Sequence, residues 1–178
     1  MSITDKLFSF QGRLRRRDWW LFGILLALGG WVVSSVAMAT MGVSMMALLP
    51  MGASGSAADI AGVLTKVIEI QCAIFVVLLW PGLAIGVKRL HDRNRPGWLI
   101  ALPYALSVAN QVLTFQGMQS GLAGMMHPSP LRLCVSLLLV VIGLWMLIEL
   151  GFLDGTQGPN KYGPSPKGFG VEEVGFTT

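Results

Sequence analysis

Charge is scarce in this chain. Lys, Arg, Asp and Glu make up 12% of its 178 residues, while 53% are hydrophobic. An average soluble domain is about 25% charged. Mean hydropathy is +0.65. From Trp19 to Ala58 there is no charged residue at all. An uncharged apolar run of about 18 residues or more exceeds what a soluble core needs and reads as a membrane span. In lipid such a span must be helical, because a helix satisfies its own backbone hydrogen bonds. Cysteine is also scarce. Cys72 and Cys134 both lie in apolar runs, with no Cys-x-x-Cys or Cys/His spacing. A zinc site or redox pair is therefore not expected, and both read as small buried hydrophobes. Paired carboxylates, a nucleophile with its base and a metal-binding cluster are missing too. The chain is not expected to be an enzyme, to hold a cofactor or metal, or to bind nucleic acid.

What is present is four apolar stretches, at about 19–41, 63–87, 97–115 and 131–153. The third is the weakest, interrupted by Pro103, Asn110 and Gln111. An apolar region rich in Met, Gly, Ala and Ser prolongs the first to about Ala58. Eleven basic residues flank the spans on one side: Lys6, Arg13, Arg15, Arg16, Arg17, Lys88, Arg89, Arg93, Arg95, Lys161 and Lys167. Only Lys66 and Arg132 fall on the other. Positive segments stay cytoplasmic, so an all-α, polytopic protein with four transmembrane helices and both termini in the cytoplasm is expected. Trp19, Trp20 and Trp98 stand where interfacial anchors belong. The division is then a basic N-terminal segment, 1–18, a membrane domain, 19–153, and a Gly/Pro-rich cytoplasmic tail, 154–178.

The N-terminus admits two further readings. Ile3, Leu7 and Phe10 share one face of a short helix, which with the arginines behind it suits an interfacial helix as well as it suits a frayed end. Arg15-Arg16-Arg17, the apolar run and Ala37-Met38-Ala39 imitate a signal peptide. The run is longer than the usual 7–15 residues, and cleavage would leave an odd number of spans. Retention as an anchor is expected.

Inside the spans, Pro81 and Pro103 are expected to kink their helices, and Gly82 with Gly86 form a small-xxx-small pair suited to ordinary helix packing. Glu149 reads as the one acid in a span core, about one turn from the cytoplasmic end, where pairing with Lys88 or Arg89 is expected over an ion or proton path. The segment from Lys88 to Trp98 carries four cations, Asp92, His91 and a Pro-Gly turn, and reads as a tight basic connection. Beside a membrane each cation attracts anionic headgroups by about 1 kcal/mol. The Gly, Pro and Asn content of the tail from Gly155 to Pro166 excludes helix and strand and suits successive turns folding back on that connection.

Three motifs stand out: Phe10-Gln11-Gly12-Arg13 with Arg16 and Trp20; Arg89-Leu90-His91-Asp92 with Gly97-Trp98; and Gly155-Thr156 with Asn160, Tyr162, Gly163 and Pro166. In this order they resemble the bacterial inner-membrane family called domain of unknown function 805. Lys88 stands where that family often has another arginine, and Pro96 where it often has serine. The resemblance implies an inner (cytoplasmic) membrane location and supplies no substrate or reaction. All three motifs fall on the cytoplasmic side of the charge-derived topology. Arg13, Arg16, Arg89, His91, Asp92, Asn160 and Tyr162 are thus expected to form one polar cluster, the working surface. The function expected is binding of anionic lipid, or of a membrane-protein partner or second copy. The alternative is a small oligomeric transporter or channel, for which Glu149 is the intramembrane candidate.

Overall fold

The uncharged runs become helices. The computed structural model describes residues 3–40, 57–120, 124 and 127–168. The apolar region after Thr40 and the tail beyond Gly168 lie outside the described residues. A short helix α1 (Ile3–Phe8) precedes α2 (Arg16–Thr40), α3 (Ala57–Asp92), α4 (Ala101–Gln119) and α5 (Pro130–Leu147). A 3-10 turn, Gly97–Ile100, leads into α4, and a π turn, Ile148–Phe152, prolongs α5. Among the described residues there is no strand, only an isolated bridge between Asn160 and Gly163. Four of these helices are long and apolar enough to cross a membrane: Arg16–Thr40, Gly62–Asp92, Gly97–Gln119 and Pro130–Phe152.

Contacts divide the chain into two units. In the unit formed by Leu25–Leu79 and Pro103–Gly143, very little is buried. Gly30, Ser34, Ile70 and Met118 are its buried described residues, while Trp31, Val76, Val77 and Leu137 lie exposed. Apolar surface on this scale suits hydrocarbon rather than water. Neighbouring helices are tied by single polar pairs. Gln71 Nε2 donates to Ser34 Oγ (2.9 Å), the Cys72 thiol to Gln111 Oε1 (3.1 Å), and Ser136 Oγ to Asn110 Oδ1 (2.8 Å). Such bonds join transmembrane helices at about 0.6 kcal/mol or more each. Span-three polarity is thus used between helices.

The other unit comprises Met1–Ile24, Trp80–Leu102 and Leu144–Thr178. Leu14, Ala84, Ile85, Leu90, Ile100 and Leu150 are buried in it, together with Arg13, Lys88, Arg89, Asp92, Glu149 and Ser165. Ile100 seats on Gly86, where an added Cβ would come within 2.7 Å of it.

The structure departs from the sequence expectation at α3. The basic segment was expected as a connection after Val87, yet the helix continues, through Pro81, to Asp92. It closes with a Schellman motif, in which Arg95 N–H donates to Leu90 O (2.9 Å) and Asn94 N–H to His91 O (3.0 Å). Asn94 supplies the left-handed residue, φ 57°. Asn tolerates that conformation where a β-branched residue does not. Asn94→Gly is expected to leave thermal stability in detergent unchanged or slightly raised, and Asn94→Val to lower it by about 1–2 kcal/mol. Equal melting of the two variants would contradict this account of the helix end.

Candidate functional site

The extra helical turn brings Arg89 and Asp92 to i, i+3 positions, one face of α3. Asp92 is the hub. One oxygen accepts from Arg13 Nε at 3.0 Å, and the other from Arg89 Nη1. Its backbone carbonyl accepts from Thr156 N (2.8 Å) and Thr156 Oγ1 (3.1 Å). The two guanidinium side chains are 1% and 0% exposed.

Arg13 spends its whole donor set inside the protein. Besides Asp92, Nη1 donates to Gly158 O (2.7 Å) and Gly163 O (3.3 Å), and Nη2 to Thr156 O (2.6 Å) and Thr156 Oγ1 (3.2 Å). Guanidinium has five N–H groups, and five acceptors meet them. Asn160 closes the same loop. Its Nδ2 donates to His91 O (3.0 Å) and Thr156 Oγ1 (2.9 Å), while its Oδ1 accepts from Tyr162 N (2.9 Å). The Tyr162 ring lies flat on His91, centroids 3.8 Å apart and planes within 10°. His91 Nδ1 is 3.3 Å from Gly12 O.

A helix leaves its last four carbonyls without partners, and burying them bare is costly. At the end of α5 and its π turn, side chains from elsewhere in the unit meet each one. Arg89 Nε donates to Leu150 O (2.7 Å), Trp20 Nε1 to Gly151 O (3.0 Å) and Arg16 Nη1 to Phe152 O (2.9 Å), and Arg89 Nη2 donates to Leu153 O. The carbonyl end of a helix dipole also favours cations. Arg89, which shares its carboxylate with Arg13, is thereby placed at the favourable end of that dipole.

Glu149 is buried but pairs with neither cation expected for it. Its Oε1 lies 3.2 Å from Arg93 Nε and 3.4 Å from Arg95 Nε, residues that the Schellman turn points back toward α5. Lys88 is fully buried and donates to Asp5 O (2.6 Å) and Lys6 O (2.5 Å), holding α1. Arg89 faces the α5 carbonyls and Asp92. Trp80 Nε1 donates to Phe8 O (3.2 Å), and Phe10 meets the Trp80 ring edge-on at 5.0 Å, so the N-terminal helix is tied down.

All seven expected cluster residues lie in this unit, in unlike settings. Arg13, Arg89 and Asp92 are buried. His91, Asn160 and Tyr162 are half-buried. The Arg16 side chain is 47% exposed and reaches Phe152 O and, at 3.6 Å, Asp154. Arg17 is 85% exposed, and Arg95 and Lys167 are about half exposed. Beside them, Lys6, Arg15, Arg17, Asp18, Tyr162 and Ser165 border a groove of about 530 Å³. Among the described residues no three His, Cys, Asp or Glu side chains are placed to hold a metal.

Sequence reasoning missed two features. Thr156 joins Arg13, Asp92 and Asn160, and its only signal in the sequence is its place in a motif. Nor is Glu149 the sole acid in a span. Glu69 lies within the Gly62–Asp92 span as well, exposed, three residues from Lys66.

Comparison with known proteins places the chain among relatives of undetermined activity. The family model described as "Protein of unknown function (DUF805)" matches residues 7–164. The Escherichia coli (strain K12) "Uncharacterized protein YiiR" is 36% identical over 165 residues, covering 92% of this chain and 89% of that protein. The "Inner membrane protein YhaI" of the same strain is 21% identical over 170 residues, covering 94% and 93%. No solved structure matches.

Proposed function

The chain belongs to the DUF805 family of unknown function, and from that premise we propose that it is a multi-pass protein of the bacterial inner membrane that engages anionic lipid headgroups through a cytoplasmic basic face, without catalysis. The carrying observation is how its cations are divided. Arg13, Arg89 and Lys88 are buried and bonded within the chain, whereas Arg15, Arg16, Arg17, Arg95, Lys161 and Lys167 remain exposed in the same unit. Of the described acidic side chains there, Asp92 and Glu149 are buried against arginines, Asp18 is half-buried beside Lys6, and Asp5 and Asp154 are exposed. The described outer charge is therefore net positive, as suits headgroup attraction at about 1 kcal/mol per cation. The name of the relative YhaI supports the inner membrane, and the one-sided cations support a cytoplasmic face. Glu149 is spent on Arg93 and Arg95, which favours lipid engagement over a proton path.

The test is native mass spectrometry of the protein gently extracted from its own membrane. Anionic lipid should be retained by the parent. It should be reduced several-fold when Arg17, Lys161 and Lys167 are all changed to Gln, exposed positions outside the buried hub. Equal retention by parent and variant, or enrichment in zwitterionic lipid, would sink the proposal. Single cysteines at Arg95 and Lys161 should label only from the cytoplasmic side.

A further inference from the structure

We propose that the groove between the N-terminal segment and the tail is a binding site for a phosphomonoester, a group carrying about two negative charges. This rests on the basic-face reading above and makes it specific. The groove holds about 530 Å³, within the range of about 300–1,000 Å³ typical of small-molecule sites.

Its charge is countable. Arg13 also borders the groove, but its donors are committed to Asp92 and the tail carbonyls. That leaves Lys6, Arg15 and Arg17 against one carboxylate, Asp18. Asp18 lies 2.9 Å from Lys6 Nζ and 4.0 Å from Arg17 Nε, so it offsets one cation. Arg15 donates to Pro166 O, a neutral partner that leaves its charge uncompensated. Two positive charges remain. A phosphomonoester carries about −1.5 to −2 at neutral pH, with three strong acceptor oxygens, whereas a phosphodiester carries only one negative charge.

The donors also suit such a group. The Ser165 residue is 8% exposed; its Oγ accepts from Lys167 N at 3.3 Å, and its proton has no acceptor among the described residues. The Tyr162 hydroxyl likewise has no described partner, its ring being held by the stack on His91. Planar guanidinium groups add forked donors matched to phosphate. The first turn of α2, which lines the groove through Arg17 and Asp18, adds amide N–H groups without intrahelical acceptors.

The ligand is either the terminal phosphate of a lipid such as phosphatidic acid or a soluble phosphomonoester. The experiment titrates the detergent-solubilised full chain with phosphatidic acid, phosphatidylglycerol or glycerol 3-phosphate, with native mass spectrometry as readout. One phosphatidic acid per chain is expected to bind at least about tenfold tighter than phosphatidylglycerol, the worth of a charge-assisted hydrogen bond. Glycerol 3-phosphate binding as tightly would keep the site and assign it a soluble ligand. Arg15→Gln with Arg17→Gln should abolish the preference without lowering the melting temperature, and Arg17→Lys should retain part of it. Equal affinity for the two lipids, or a preference that survives the double variant, overturns the phosphomonoester site while leaving general anionic binding intact. Failure of every anionic lipid to bind would remove both.

Discussion

Asp92→Ala should cost about 3–5 kcal/mol and largely abolish accumulation of folded protein in the membrane. The carboxylate is 4% exposed and, among the described residues, is the only anion paired with the two buried guanidinium groups. Removing it leaves Arg13 and Arg89 uncompensated where water cannot reach them, and breaking a buried pair from one side carries that penalty. Folded domains are stable by only about 5–15 kcal/mol, so the loss is a large share. Asp92→Asn keeps one acceptor oxygen and should fall between. Asp154→Ala is the control. That side chain is 61% exposed, and its pairs with Arg16 and Lys167 are 3.6 and 3.5 Å long, so the change should cost no more than about 1 kcal/mol. Thermal melting in detergent, with the amount of protein in isolated membranes, reads all three. If Asp92→Ala melted with Asp154→Ala, the hub would not be holding this unit together.

Gly155→Ala should be nearly as damaging, for reasons of space. Gly155 does not have a positive φ, so its backbone conformation is open to any residue. A Cβ there would nonetheless fall onto the Asp92 carboxylate. The carboxylate cannot step aside, because Arg13 and Arg89 hold both oxygens. Nor can the glycine, because the next residue, Thr156, donates twice to the Asp92 carbonyl. Overpacking typically costs about 1–3 kcal/mol, and loss of the Thr156 bonds adds to it. Gly29→Ala is the comparison, since a Cβ at Gly29 meets nothing within 4 Å and alanine is the better helix former. The melting temperature should drop markedly for Gly155→Ala and hold for Gly29→Ala. Similar melting of the two would mean that the tail is not clamped on Asp92.

The four spans were legible because charge is so uneven along the chain. Hydropathy alone separates Trp19–Ala58 from the arginines before it, and no tertiary contact is needed to see that. The end of α3 was not legible. A run of cations, a histidine and an acid looks like a solvated connection, and nothing local says that Arg89 and Asp92 are buried in a last helical turn. The same limit applies to the arginine run near the N-terminus. Arg13 is 4% exposed, while the Arg16 side chain is 47% exposed, three residues later in the same kind of sequence. What separates them is the tail carbonyls some 145 residues away, which pattern cannot supply. The partner of Glu149 was misplaced for a related reason. Counting along α3 favoured Lys88 and Arg89, but a left-handed Asn94 turns the chain and delivers Arg93 and Arg95 instead.

The bonds from Arg13 to the tail set a schedule for the newborn chain. Arg13 and Gly163 are 150 residues apart. At about 5–20 residues per second of synthesis, the arginine waits roughly 8–30 s for its last acceptor to be made. Through that interval all four spans can be inserted while Arg13 still lacks its tail acceptors. A chain cut short before Thr156 keeps Asp92 between Arg13 and Arg89, but leaves both terminal nitrogens of Arg13 without their tail acceptors. Completion is thus written into the fold, as the difference between a satisfied and an unsatisfied buried arginine. Truncation at Gly155 should shorten the half-life of the protein in a pulse-chase far more than truncation at Gly168, although both retain every span.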